Sequence, residues 1–239
     1  MNCYDQPQTV HFHGGNNSMN EPATGVFLAL CAHEMRTPLN VISLASHLLQ
    51  PGFDNQTVAD ARNMIDTQVS LLSQLITDLA GMITEVKSEN IKIEDVIDKA
   101  LMTILSTEEG QKFKISTLGY GGTIFADPIR VQQILINLLT NAMKYSTPGS
   151  LIQLNWQLRE DAVEISIKDQ GKGISHDMLE RIFDPFVQDK RDQDRGQGGF
   201  GLGLALVKSL VVAMGGLVIA SSDGKGCGST FTVILPKGT

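Results

Sequence analysis

An apolar rhythm in steps of three and four residues constrains this chain more than any other feature. Val58, Ala61, Ile65, Val69, Leu72, Ile76, Leu79, Ile83 and Val86 keep those steps without a break, which is the period of one face of an α-helix and not of a strand. A second stretch of the same kind precedes it. From about Glu21 to Gln50, Leu28, Ala32, Met35, Leu39, Ile42, Ser46 and Leu49 fall on one mostly apolar seam, the pattern of a coiled-coil-like helix. Pro51-Gly52 stops the first helix, and Asp54 or Asn55 is placed to cap the second. Two long helices joined by a short turn make an antiparallel hairpin whose seam is only half covered. A four-helix bundle built from two copies would cover it, so a homodimer is expected.

After Ser88 the texture changes. Ile91–Ile93 reads as a short strand, Glu94–Ser106 as an amphipathic helix, and residues 112–125 as two short strands broken at Gly119 to Gly122. Pro128 opens a helix to about Lys144, with proline tolerated in the first turn because its missing N–H has no partner there. Leu151–Leu158 and Ala162–Lys168 alternate apolar and polar around Asp161, as a hairpin does. A helix follows Gly201, and residues 217–221 and 229–235 read as two closing strands. The expected class is α+β: a helical hairpin, then a mixed sheet backed by helices. The expected division is a loose leader over 1–20, the hairpin over 21–88, and an α/β domain over 89–239.

Composition narrows the function. Nineteen Lys and Arg against 26 Asp and Glu give a net charge of −7, and no basic face is concentrated enough for nonspecific nucleic-acid binding. Cys3, Cys31 and Cys227 are few and far apart, so no disulfide framework or thiolate metal site is expected, and a reducing compartment fits. Leu210 to Ala220 is too short to span a bilayer, and the N-terminus has no signal-peptide pattern. The chain reads as cytoplasmic, whole or as part of a larger, membrane-attached protein. His11 and His13, in a polar leader, read as solvated rather than metal-binding.

Four constellations carry chemistry. His33-Glu34-Met35-Arg36-Thr37-Pro38 puts an imidazole just outside the buried seam, with Thr37 one turn on above the same stripe. A neutral imidazole offers a lone pair near pH 7. Glu34 is expected to accept a hydrogen bond from one ring nitrogen and leave the other free to attack. Pro38 removes the amide that would bond the Glu34 carbonyl, so a bend is expected. His47 occupies the same heptad position but is followed by Leu48 and has Pro51 where His33 has Thr37; it is assigned to the solvated face.

Asn137, Asn141 and Lys144 fall at i, i+4 and i+7 on the helix from Pro128, so they share one face. Two amide oxygens beside a lysine suit a hard metal ion with phosphates. Asp169-Gln-Gly171-Lys-Gly173-Ile174 follows a strand, a tight turn whose carboxylate accepts from an exocyclic amine such as that of adenine. Gly199-Phe200-Gly201-Leu202-Gly203-Leu204 leads into a helix, where backbone amides approach a phosphate closely. It is neither a P-loop nor a dinucleotide fingerprint in its proper place. Between these two turns lies Phe183-Asp-Pro-Phe186, then a polar stretch to Gly198 that reads as a lid anchored by Phe183 and Phe186.

In this order and spacing the segments resemble the transmitter module of sensor histidine kinases. His33 to Pro38 resembles the H box, Asn137 to Tyr145 the N box, Asp169 to Gly173 the first glycine box, Phe183 to Phe186 the F box and Gly199 to Leu204 the second glycine box. Gly226-Cys-Gly228-Ser-Thr-Phe is similar to the last glycine box, so the likeness spans about residues 21–236. The resemblance implies a dimerisation and histidine-phosphotransfer hairpin followed by an ATP-binding domain of the kind found in gyrase and Hsp90. It implies that His33 attacks the γ-phosphate of magnesium-ATP and passes the phosphoryl group to an aspartate of a response-regulator receiver. By the same implication Glu34 is the general base, Asn141 with Asn137 handles magnesium, Lys144 binds phosphate and Asp169 binds adenine. Tyr145, Gly171, Gly173, Ile174, Phe183, Gly199, Gly201, Leu202, Gly203 and Leu204 line the nucleotide site. Thr37 orients water for receiver dephosphorylation, and Arg130 and Gln133 fit the same helix.

Two other readings stand beside this one. A gyrase- or Hsp90-like ATPase usually places a glutamate base where this chain has Asn137, an amide that cannot take a proton. An ATP-binding pseudokinase scaffold rests on Phe200 alone, which replaces the usual small Thr or Ser of the second glycine box.

Overall fold

The structure is a computed structural model that describes residues 8–12, 21–83, 85–189 and 199–238. Two helices come first, α1 over Glu21–His47 and α2 over Asn55–Ile83. Asp54 caps α2: its Oδ1 accepts from the backbone N–H of Gln56 at 2.9 Å and Thr57 at 3.0 Å, and its Oδ2 accepts from the Thr57 hydroxyl at 2.7 Å. These bonds satisfy amides that have no partner inside the helix. The backbone N–H of Thr57 above all, then its hydroxyl, holds the Asp54 carboxyl below its ordinary range.

The hairpin interior differs from the expected seam. Cys31, Pro38 and Ala45, one heptad apart, are buried on α1, opposite Ala61 and Leu75 on α2. Leu28, Leu39, Leu44, Val69 and Ile76 remain exposed, as do Ala32, Ser46 and Leu49. The periodicity marks a face with two partners, and one chain supplies only one of them. Small residues at Ala45 and Ala61 let the helices approach closely, while the larger side chains point to the uncovered side. Burial pushes the Cys31 thiol up. Pro38 lies inside a helix that runs on past it.

The second half is built on a sheet of mixed direction. β1 is Gln8–Phe12, β2 Glu89–Lys92, β3 Lys114–Leu118, β4 Thr123–Ala126, β5 Leu151–Leu158, β6 Ala162–Lys168, β7 Leu217–Ser222 and β8 Thr230–Pro236. The order is β1-β7-β8-β6-β5-β3, with β3 and β5 parallel and all other pairs antiparallel. β2 and β4 form a separate two-stranded sheet. Helices α3 (Ile93–Leu105), α4 (Pro128–Tyr145), the short α5 (His176–Leu179) and α6 (Gly203–Ala213) complete the fold. Leu135, Leu138 and Leu139 of α4 and Leu206, Val207 and Leu210 of α6 pack on Ile152, Ile165, Val218 and Val233 of the sheet.

Three expectations need correction. Residues 8–12 are not a loose leader: they form β1, paired in register with β7 from Gln8↔Ser222 to Phe12↔Val218. Backbone pairing needs no alternation of side chains, so periodicity could not reveal it. The two strands of 112–125 belong to different sheets, because Gly119 lies against Trp156, where a Cβ would stand 2.5 Å from its carbonyl oxygen. Cys227 is disulfide-bonded, its partner lying outside the described residues, since distance along a chain does not measure distance in space. No helix among the described residues is long and apolar enough to cross a membrane.

Candidate functional site

The site is built at one end of the sheet, where three glycine-containing turns interlock. Asp169, at the end of β6, is 4% exposed. Its Oδ1 accepts from the N–H of Gly171 at 2.7 Å and of Ser229 at 3.3 Å, and its Oδ2 accepts from the Ser229 hydroxyl at 2.5 Å. A carboxylate held by three donors on two segments is fixed in direction before any ligand arrives. Ser222, also buried, accepts from the N–H of Ile174 at 3.0 Å and donates to the Gly228 carbonyl at 2.6 Å. Ser222 and Ser229 were assigned no role from sequence. The serine that follows Gly228 was the one available signal.

The glycines are required by close approach. A Cβ on Gly173 would lie 2.0 Å from the Gly224 carbonyl oxygen, and one on Gly228 2.1 Å from that of Asp169. Both have positive φ, 67° and 72°, a conformation costly for other residues. A Cβ on Gly171 would meet the Tyr145 carbonyl oxygen at 2.3 Å, so the end of α4 and the first glycine turn touch. The Tyr145 carbonyl accepts from the N–H of Lys172 at 3.0 Å. The Lys172 and Lys144 ammonium groups lie 4.3 Å and 5.1 Å from the Tyr145 ring centroid, which places two cations beside the turn.

α4 begins where its cap demands. Asp127 accepts from the N–H of Ile129 at 3.0 Å and of Arg130 at 3.2 Å, and its other oxygen accepts from Lys87 N–H at 3.0 Å. One buried carboxylate thus ties the start of α4 to the segment leaving the hairpin. Asn137 and Asn141 are half-buried and Lys144 is exposed. The Asn137 amide donates to the Gln133 carbonyl at 3.1 Å, and a Cβ on Gly203 would stand 3.0 Å from its Oδ1. The first residue of α6 therefore sits against the amide face of α4. Arg130 donates to Gln133 Oε1 at 3.0 Å on the preceding turn.

The lid base is anchored as expected. Phe183 is buried and meets Phe231 edge-on, centroids 6.2 Å apart. Phe186 N–H donates to the Gly201 carbonyl at 3.0 Å, and both residues have positive φ, 62° and 71°. Leu202 is buried at the start of α6, Leu204 packs on the core, Phe200 is half-buried and Gly199 is exposed. Residues 190–198, most of the expected lid, lie outside the described residues.

On the hairpin, His33 and Thr37 are exposed and Glu34 is half-buried. Among the described residues no hydrogen bond joins Glu34 to His33. Adjacent residues on a helix point about 100° apart, so the expected contact needs a change of side-chain rotamer. His47 differs in one respect: its Nδ1 lies 2.7 Å from the Ser43 carbonyl oxygen, an engagement His33 lacks.

This geometry agrees with what the chain is similar to. Residues 23–81 match the His Kinase A (phospho-acceptor) domain, and residues 126–239 match the Histidine kinase-, DNA gyrase B-, and HSP90-like ATPase family. The chain is a histidine kinase transmitter module. Over 228 residues it is 34% identical to the autoinducer 2 sensor kinase/phosphatase LuxQ of Vibrio harveyi, covering 88% of this chain and 26% of LuxQ. It is 33% identical to the adaptive-response sensory kinase SasA of Synechococcus elongatus, covering 87% of this chain and 58% of SasA. The transmitter thus spans about a quarter of LuxQ and under two thirds of SasA. Among solved structures, full-length ShkA in complex with AMPPNP superposes with a TM-score of 0.64 at 29% identity, covering 90% of this chain and 46% of that one. ThkA in complex with the response regulator protein TrrA shares the fold, with a TM-score of 0.72 at 19% identity, covering 97% of this chain and 75% of that one. The hairpin followed by an ATP-binding α/β domain is therefore the transmitter architecture expected from sequence.

Proposed function

We propose that this transmitter phosphorylates itself on His33 with ATP bound between the glycine turns and α4, then passes the phosphoryl group to an aspartate of a response-regulator receiver. In the first step the bond from the γ-phosphorus to the bridging oxygen breaks and an N–P bond forms to the imidazole. ADP leaves, and the displaced ring proton goes to Glu34. The single observation that carries this reading is an exposed imidazole on the same chain as a pocket whose helix bears Asn137, an amide, where water-activating ATPases carry a carboxylate. Without a base of its own, the pocket needs a nucleophile from elsewhere.

Asp169 is the adenine acceptor in this reading, and the N-terminus of α6 with Gly201, Leu202 and Gly203 faces the phosphates. Asn141 and Asn137 fit magnesium as a cation shared with phosphate. Among the described residues no three His, Cys, Asp or Glu gather to hold a metal alone, so its shell needs phosphate oxygens and water. When bound, magnesium neutralises charge on those oxygens. The exposed Leu28, Leu39, Leu44, Val69 and Ile76 form the homodimer seam. The solved ThkA–TrrA complex supports a receiver as partner, and LuxQ, named a kinase/phosphatase, supports Thr37 as the residue that orients water for dephosphorylation. We place the module on the cytoplasmic side of the membrane.

Incubation with γ-labelled ATP and magnesium tests the reading. Acid-labile, base-stable label that His33→Gln abolishes is the expected result. Fast hydrolysis with no phosphoprotein would favour the ATPase instead.

A further inference from the structure

β7 is an edge that invites a partner. Its sequence, Leu-Val-Ile-Ala-Ser-Ser, has no charge and no proline, the usual means of blocking strand addition. β1 covers it in continuous antiparallel register. Only residues 13–20 separate β1 from Glu21, the first residue of α1, and eight residues reach at most about 28 Å. The sheet edge is thereby tied to the start of the phosphoacceptor helix.

The heights of the contacts on the hairpin show what this tie does. α1 and α2 run antiparallel from the turn at residues 48–54. At a rise of 1.5 Å per residue, Gly81 stands about 39 Å above that turn and His33 about 21 Å. α2 meets α6 at Gly81, where a Cβ would come within 2.8 Å of Leu206 Cδ1. The Phe27 ring lies 5.8 Å from that of Phe186, some six residues, or about 9 Å, above His33. The ATP-binding domain is therefore held at the upper end of the hairpin, roughly 10–20 Å from the level of His33. Phosphoryl transfer requires reacting atoms about 3–3.5 Å apart, so the domain must descend.

We propose that β1 is an autoinhibitory strap: paired with β7, it holds the ATP-binding domain at the top of the hairpin, and it unpairs when the domain moves down to His33. This rests on His33 being the phosphoacceptor. A two-strand pairing of five residues is marginal by itself, which makes release reversible and open to an input that acts on the segment before α1.

The full chain, kept in reductant so that Cys227 stays a thiol, provides the test with Val10→Pro and His11→Pro. N–H groups of neighbouring strand residues point to opposite sides, so one of the two removes a donor that faces β7. Three readouts are compared with the parent: amide exchange at Leu217–Ser222, affinity for a fluorescent ATP analogue, and the rate of His33 labelling. In at least one variant the β7 amides should lose protection and labelling should rise about threefold or more, with nucleotide affinity unchanged. Labelling no faster than the parent's in both variants, or full protection in both, overturns the strap. Protection in the parent that grows with protein concentration assigns the covering strand to a second copy and also overturns it. A parent that takes no label on His33 refutes the functional reading instead, while the exchange data still judge the pairing.

Discussion

The hairpin and the ATP-binding domain carry their chemistry in opposite ways. In the domain, Asp169 is buried and held by three donors, and the surrounding glycines sit where no other residue fits. On the hairpin, His33 and Thr37 stand in solvent without such partners among the described residues. A site that must recognise one nucleotide gains from being fixed beforehand. A phosphoacceptor that meets an ATP site and then a receiver has to stay open to both.

Substitutions that add a single Cβ give the sharpest contrast. Gly173→Ala and Gly228→Ala should each destabilise the domain by about 3 kcal/mol or more, through strain and backbone overlap, and abolish nucleotide binding. Gly52→Ala, in the hairpin turn with open space around it, should cost about 1 kcal/mol and leave binding intact. Thermal melts with and without an ATP analogue check both.

Within the nucleotide site, Asp169→Asn removes the acceptor itself and should weaken ATP binding by about 100-fold. Ser229→Ala removes only one of its supports and should cost about tenfold. Equal losses, measured by analogue titration, would mean that the serine contacts the ligand rather than orienting the carboxylate. On the hairpin, Thr37→Ala should leave autophosphorylation within about twofold and slow receiver dephosphorylation by about tenfold or more. An unchanged dephosphorylation rate removes Thr37 from the mechanism.

The smallest effect lies where the regions meet. Asp78 is 5% exposed on α2, one turn before Gly81, and its Oδ1 accepts from Gln74 at 2.7 Å. Burial raises its pKa, with the Gln74 bond opposing. A carboxyl whose folded pKa is raised favours the fold while protonated, and that contribution is lost as pH climbs through the folded value. Asp78→Asn should therefore stabilise the chain by about 1 kcal/mol at pH 7, some 3 °C in Tm, and lose its advantage below about pH 4.

The same contrast explains what the sequence revealed. The boxes of the ATP-binding domain were legible because glycines and a strand-end aspartate are demanded by close approach, as at Gly173 and Gly228. The two hairpin helices were legible through their period, but not which side of the seam the chain fills itself, because Leu28 and Cys31 look alike until the partner helix is placed. Ser222 and Ser229 escaped notice since a serine that braces a buried carboxylate reads like any turn serine. β1 escaped because its pairing lies in the backbone. The Glu34–His33 contact was expected from adjacency in sequence, which on a helix separates side chains rather than joining them.

The most direct measurement is phosphosite mapping of the ATP-treated chain under conditions that preserve phosphoramidates. His47 serves as the internal control, at the same heptad position but engaged with Ser43. The account predicts phosphate on His33 and none on His47; phosphate on His47, or on a residue other than histidine with His33 unmodified, would contradict it.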